Sequence, residues 1–370
     1  MVWLVVGRLV AASVLFGLGT LAVLKVPLGV LWKPAVAATA FGHILAALAL
    51  LVALAGLLER SGQLATALAV AAALLLLSPL ARGLVLAPSI PPAFSEAFAP
   101  AEGPALSLTG LLGPGLGEVE VTRHTYKEGL ALDLYRGESE GPRPIVVVIH
   151  GGSWKSGDET QLPAINRHLA GQGYAVAAIQ YRLAPAVRFP AMREDVEAAT
   201  RWLQGQAEAL GLDGTRVVLL GRSAGGQLAL ATGYTSSNPA LRGVVALYPP
   251  TDMRWSWANP GDPLIIDTPG TLRAFLGGAP EEAGAVYDAA SAIQHVGPKT
   301  PPTLLLHGGR DELVSPTHCR RLVERLEAAG VEHLLVELPW ATHGLDANLG
   351  GPGGQLYVWS LERFLAHVTR

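Results

Sequence analysis

The chain has 370 residues, half of them hydrophobic and 15% charged, with a formal net charge of -3. It carries no Lys/Arg cluster with interleaved aromatics, so nothing points to a nucleic-acid partner. The single cysteine, Cys319, excludes an internal disulfide and a cysteine-based zinc site.

Ionisable groups are scarce in residues 1–120 and ordinary in number afterwards, which predicts two parts in different solvents. Three apolar stretches, 2–24, 35–58 and 64–86, are long enough to cross a hydrocarbon core as helices. Arg8 interrupts the first and is expected to snorkel to the interface; Arg82 lies near the end of the third. A secretory signal peptide followed by buried helices is the competing reading of this region. His43, inside the second stretch, reads as packed or interfacial rather than functional. Lys25 and Lys33 make the first loop more basic than the Glu59–Arg60 turn, which favours a cytoplasmic C-terminal part. The absence of Lys and Arg from 83–122 instead suits a translocated segment. Residues 88–117, rich in Pro, Gly and Ala, read as a spacer between 1–87 and a domain over 118–370.

From residue 119 the periodicity changes. Residues 119–126 alternate and, with 130–135, read as an antiparallel hairpin. Short apolar runs at 144–150, 174–181, 216–221, 243–249, 302–308 and 333–339 read as strands buried on both faces. Helical patterns fall between and after them, at 160–172, 191–210, 224–235, 317–330 and 354–369. This alternation predicts an α/β fold, an eight-stranded, mostly parallel, doubly wound sheet with helices on both faces. Residues 251–300 interrupt it as a cap. Trp255, Trp257, Leu264, Ile265 and Phe275 there suit an acyl pocket and the cap's own core equally well.

In Gly221-Arg222-Ser223-Ala224-Gly225-Gly226 a serine sits between a strand and a helix. The glycines allow a sharp turn that exposes it at the helix N-terminus, as a nucleophile requires. A serine needs a base, and the base needs an orienting acid. His343 follows the last strand and Asp311 the seventh, giving the chain order Ser, Asp, His at strand C-terminal ends. Asp311 could instead cap the helix near Ser315, and His343 could be a surface loop residue. Asp252 and, less favourably, Asp346 are the alternative acids. The loop His150-Gly151-Gly152-Ser153-Trp154 suits an oxyanion hole, with N–H donors from Gly152, from Gly151 or Ser153, and from Ala224. His150 reads as a brace for that loop.

These motifs, with "QYRLAP" (180–185) and "FPAMREDVEAATRWL" (189–203), resemble the α/β-hydrolase esterase/lipase group. That group includes hormone-sensitive-lipase-like, feruloyl-esterase-like and kynurenine-formamidase-like proteins. The resemblance covers 119–370 and implies a serine hydrolase without metal or organic cofactor, acting on a small-molecule or lipid ester. The added N-terminal region implies a multi-pass protein of a plasma or inner membrane, with the lipid bilayer as partner. An amide hydrolase of the same fold and a non-catalytic binding module are the other readings; the complete Ser, Asp, His set argues against the module.

Overall fold

The strands form where the sequence puts β-branched and aliphatic residues in unbroken runs, because each face of the sheet is covered and both side-chain sets are apolar. In the computed structural model, which describes residues 2–59, 62–115, 117–138 and 140–370, eight strands make one sheet. They are β1 (Glu120–Lys127), β2 (Leu130–Arg136), β3 (Arg143–Ile149), β4 (Ala175–Ile179), β5 (Leu212–Arg222), β6 (Leu241–Leu247), β7 (Thr303–Gly308) and β8 (His333–Leu338). The order is β1-β2-β4-β3-β5-β6-β7-β8, with β2 antiparallel to β1 and β4 and the remaining pairs parallel. This is the α/β-hydrolase arrangement.

Period-two alternation divides the core. Ile145, Val147 and Ile149 of β3, with Val217 and Leu219 of β5, face a layer containing Met192, Val196 and Leu228. Val146, Val148, Val218 and Leu220 face the opposite layer, with Leu169, Leu356 and Phe364. The helices supplying these residues are α6 (Pro163–Gly171), α7 (Ala191–Gly205), α9 (Ala224–Thr235) and α14 (Pro352–Val368); α8 (Ala207–Leu210) and α13 (Thr317–Ala328) complete the winding. The cap between β6 and β7 contains α10 (Met253–Ala258), α11 (Thr268–Leu276) and α12 (Pro280–Ala290).

The N-terminal region contains α1 (Val2–Val23), α2 (Trp32–Ala40), α3 (Gly42–Glu59) and α4 (Gln63–Leu86). Two helical stretches, Trp3–Val23 and Gln63–Ala97, are long and apolar enough to cross a membrane, or three if the bent pair around Phe41 counts as one span. The expected straight helix over 35–58 is corrected. α2 and α3 meet at a bend of 84°. At the bend Gly42 lies against α4, where a Cβ would sit 2.4 Å from the Leu76 carbonyl oxygen. Arg8 lies against Gly56 and donates to Thr66 Oγ1 at 3.0 Å. Arg60, on which the charge of the second turn was read, lies outside the described residues.

The spacer expected at 88–117 is built into the hydrolase layer. Its α5 (Ile90–Ala97) buries Ile90 and Phe94, and Phe94 meets Trp359 of α14 edge to face. Ala105 and Leu106 join the same cluster. The composition reads as a loose loop because the apolar residues are few and widely spaced. Full burial of one such side chain contributes about 1.5–3 kcal/mol, so a few anchors suffice to hold the segment down.

Candidate active site

Ser223 ends the crossing from β5 to α9 with φ 53° and ψ -119°. This is a conformation that costs an L-residue about 1–3 kcal/mol. The surrounding backbone enforces it: Ser223 N–H donates to the Leu247 carbonyl at 2.9 Å, and the Ser223 carbonyl accepts from Gln227 N–H at 3.0 Å. The turn closes because side chains are missing where chains meet. A Cβ on Gly221 would sit 2.1 Å from the Gly225 carbonyl oxygen, and one on Gly225 would sit 2.2 Å from that of Ile149. Gly225→Ala is therefore expected to displace the elbow. A melting curve combined with active-serine titration checks this, and a wild-type titre in a normally melting Gly225→Ala variant contradicts it.

His343 Nε2 lies 3.0 Å from Ser223 Oγ, and His343 Nδ1 lies 2.7 Å from Asp311 Oδ2. The other Asp311 oxygen accepts from the N–H groups of Leu313 and Val314, both at 2.9 Å. Asp311 thus ties down the loop before α13 without capping that helix, whose N-cap is Pro316, while its second oxygen holds His343. Burial acts to raise the Asp311 carboxyl. His343 and a hydrogen bond from His307 outweigh burial and hold it well below the usual carboxylate range. An ionised Asp311 keeps the proton on Nδ1 and leaves Nε2 free to accept from the serine.

Neither alternative acid reaches His343. Asp252 caps α10 by accepting from Trp255 N–H at 2.9 Å and pairs with Arg321 at 2.9 Å. Asp346 is fully buried, accepts from Arg222 Nε, and accepts from the Tyr248 hydroxyl at 2.7 Å. Tyr248 in turn sits against the His343 ring, with centroids 4.3 Å apart. Sequence reasoning passed over Arg222 and Tyr248. The only available signal was an arginine inside the elbow, a poor place for a charge without a buried partner.

Among the expected oxyanion donors, Gly151 is corrected: its N–H already donates to Gln161 Oε1 at 2.8 Å. Gly152, Ser153 and Ala224 remain beside Ser223, and Ala224, as the first residue of α9, has no acceptor within its helix. The loop takes left-handed backbone at Gly152, Ser153 and Trp154. A Cβ on Gly152 would lie 2.0 Å from the Ser156 carbonyl oxygen. Trp154 locks the turn by donating to Gln227 Oε1 at 2.9 Å and stacking on Phe275 at 4.0 Å. His150 stacks on Tyr181 at 4.2 Å and lies outside the Ser223–His343 chain, consistent with bracing.

A cavity of ≈ 50 Å³ opens under the cap at Ser223, with Ile266, Thr271, Leu272 and His318 in its walls. Of the five cap residues weighed for an acyl pocket, none lines it; Phe275 is buried on Trp154 and Leu264 is exposed. Burial pushes the His318 imidazole down to about 3, with the nearby His307 and Arg321 acting in the same direction. The neutral ring accepts from Thr251 N–H and shares its other nitrogen with Ser256 Oγ at 3.0 Å.

Residues 132–326 match the BD-FAE family model. Esterase LipC of Mycobacterium tuberculosis (strain ATCC 25618 / H37Rv) is 31% identical over 256 residues, covering 65% of this chain and 62% of that protein. The chain thus spans less than two thirds of the length of LipC. Ethyl acetate hydrolase of Pseudomonas putida is 32% identical over 231 residues, 58% of this chain and 70% of that one. Among solved structures, a bacterial heroin esterase superposes with a TM-score of 0.58 at 25% identity, over 71% of this chain and 87% of its own. With the elbow and strands β3 to β7 inside the matched stretch, the chain belongs to the BD-FAE family, in the esterase group of the α/β-hydrolases.

Proposed function

We propose that the protein is a membrane-anchored carboxylesterase that cleaves esters of short acyl groups through an acyl-enzyme on Ser223. The hydrogen-bonded chain from Ser223 through His343 to Asp311, at 3.0 and 2.7 Å, carries this reading. His343 Nε2 takes the Ser223 proton as Oγ attacks the ester carbonyl, and the imidazolium is stabilised by Asp311. The N–H groups of Gly152, Ser153 and Ala224 receive the oxyanion. His343 returns its proton to the leaving alcohol, then activates a water that releases the acid and restores Ser223. The small cavity of ≈ 50 Å³ beneath the cap favours a short acyl group. The names of the relatives, esterase and ethyl acetate hydrolase, favour an ester over an amide.

Anchoring is supported by the bundle's inverted packing. Ala49, Ala69 and Ala72 are fully buried between helices while Leu57, Leu58 and Leu74 are more than half exposed. Lipid tails are as apolar as leucine, so helices in a bilayer associate through small residues and turn large aliphatics outward.

Labelling of the detergent-solubilised chain with a fluorophosphonate serine probe tests the reading. Labelling of the parent and its loss in Ser223→Ala and His343→Ala are expected. A folded parent that does not label refutes the esterase reading, and labelling that survives Ser223→Ala means that another serine is the nucleophile.

A further inference from the structure

Two spaces meet at Ser223, and the position of the base tells them apart. The small cavity under the cap is not lined by His343. On the other side a groove of ≈ 610 Å³, within the size range of small-molecule sites, is lined by Ser223, His343, Tyr248 and the Gly151–Ser153 loop. The leaving oxygen must take its proton from His343 Nε2, so the alcohol half of an ester has to lie on the His343 side. The groove is then the leaving-group site, and the small cavity under the cap holds the acyl group.

Part of the groove wall does not come from the hydrolase domain. Trp32, Lys33 and Val36 of α2 line it. α2 is held in place at its middle and at its C-terminal end. Val36 faces Gly344, the residue after the base, where a Cβ would be 3.5 Å from Val36 Cγ1. The α2 carbonyl of Ala40 accepts from Asn348 Nδ2 at 3.0 Å. Before α2, Val26 N–H donates to Glu312 at 2.9 Å, and Arg310 donates to the carbonyls of Leu21, Ala22 and Leu24 at the end of α1. Arg310 and Glu312 flank Asp311 in sequence. The segment thus grips both the acid loop and the base loop, which a flexible tether would not do. Next to α2, Gly29 packs on the Leu264 backbone, and Leu28, Val30 and Leu264 stand exposed.

We infer that α2 is a specificity element of the active site, forming with the hydrolase domain a groove for the long apolar alcohol half of an amphiphilic ester drawn from the bilayer. The inference rests on the Ser223 reading above and adds the substrate class. α2 lies at 84° to α3, so with α3 crossing a bilayer, α2 runs close to the membrane plane. Its neighbouring apolar side chains would then offer the alkyl chain a continuous path from lipid to groove.

The test compares ethyl butanoate with dodecyl butanoate on the full-length chain in detergent. Val36→Trp narrows the groove and Trp32→Ala removes part of its wall. Each is expected to lower the dodecyl-to-ethyl ratio of kcat/KM by roughly tenfold or more, the scale at which a hydrophobic pocket discriminates. Two variants of opposite size guard against a folding failure in one of them. A parental ratio in both variants overturns the inference. Fluorophosphonate labelling of the same preparations separates the two readings: an unlabelled, folded parent refutes the esterase, whereas a labelled parent with unchanged ratios refutes only the role of α2.

Discussion

Exchange of Ser223 for alanine is expected to lower kcat for ester hydrolysis by roughly 10⁶-fold, and His343→Ala by a similar factor, with the double variant little worse than either alone. The reason is geometric. Ser223 Oγ, His343 Nε2 and Asp311 Oδ2 form one hydrogen-bonded chain. On the proposed mechanism, without the serine there is no acyl-enzyme, and without the imidazole the hydroxyl cannot lose its proton as it attacks. The two losses remove the same pathway, so they do not multiply. Asp311→Asn is milder, with a fall in kcat of about 10⁴-fold, because the carboxamide leaves the imidazole in place but does not stabilise the imidazolium. Steady-state rates on ethyl butanoate, normalised by protein mass, check all four variants. Multiplicative losses in the double variant would mean that the residues do not act as one unit.

The largest expected effect on stability comes from Asp346→Ala, at about 3–5 kcal/mol. Arg222 and Asp346 form an ion pair between side chains that are 2% and 0% exposed. Burial pulls the Arg222 guanidinium down, but Asp346 outweighs it and keeps the group charged. Nη1 and Nη2 of Arg222 have no hydrogen-bond acceptor among the described residues, so Asp346 is its one hydrogen-bonded counter-charge. Removing that carboxylate strands a cation in the layer directly beneath the elbow and frees Tyr248, which packs on His343. Arg222→Met combined with Asp346→Leu is expected to recover much of the loss, since it removes both desolvation costs together. The temperature at which fluorophosphonate labelling disappears reports the difference. An unchanged midpoint in Asp346→Ala would contradict the account.

The sheet is legible in the sequence because its information is local. Runs such as Ile145–Ile149 are apolar at every position, short and rich in β-branched residues, which is how a strand covered on both faces reads. The elbow was legible for a similar reason: strand, glycine, serine, glycine and helix are contiguous. The N-terminal region was read only in part. Its apolar stretches were evident, but the bend at Gly42 arises from contact with Leu76, 34 positions along the chain, which no local pattern encodes. The 88–117 segment was misread for a related reason, since Phe94 belongs to a core whose other members lie far away in sequence.

Composition and periodicity alone determined the α/β class, the strand-to-helix position of Ser223, and the His343 and Asp311 candidates at strand ends. Tertiary structure alone decided which acid faces His343, because Asp252, Asp311 and Asp346 all stand on loops at strand ends and only distance separates them. It also decided that Gln161 occupies the Gly151 N–H and that α2 walls the groove. These are meetings between residues far apart in the chain, and a single sequence specifies such meetings only through the fold that brings them together.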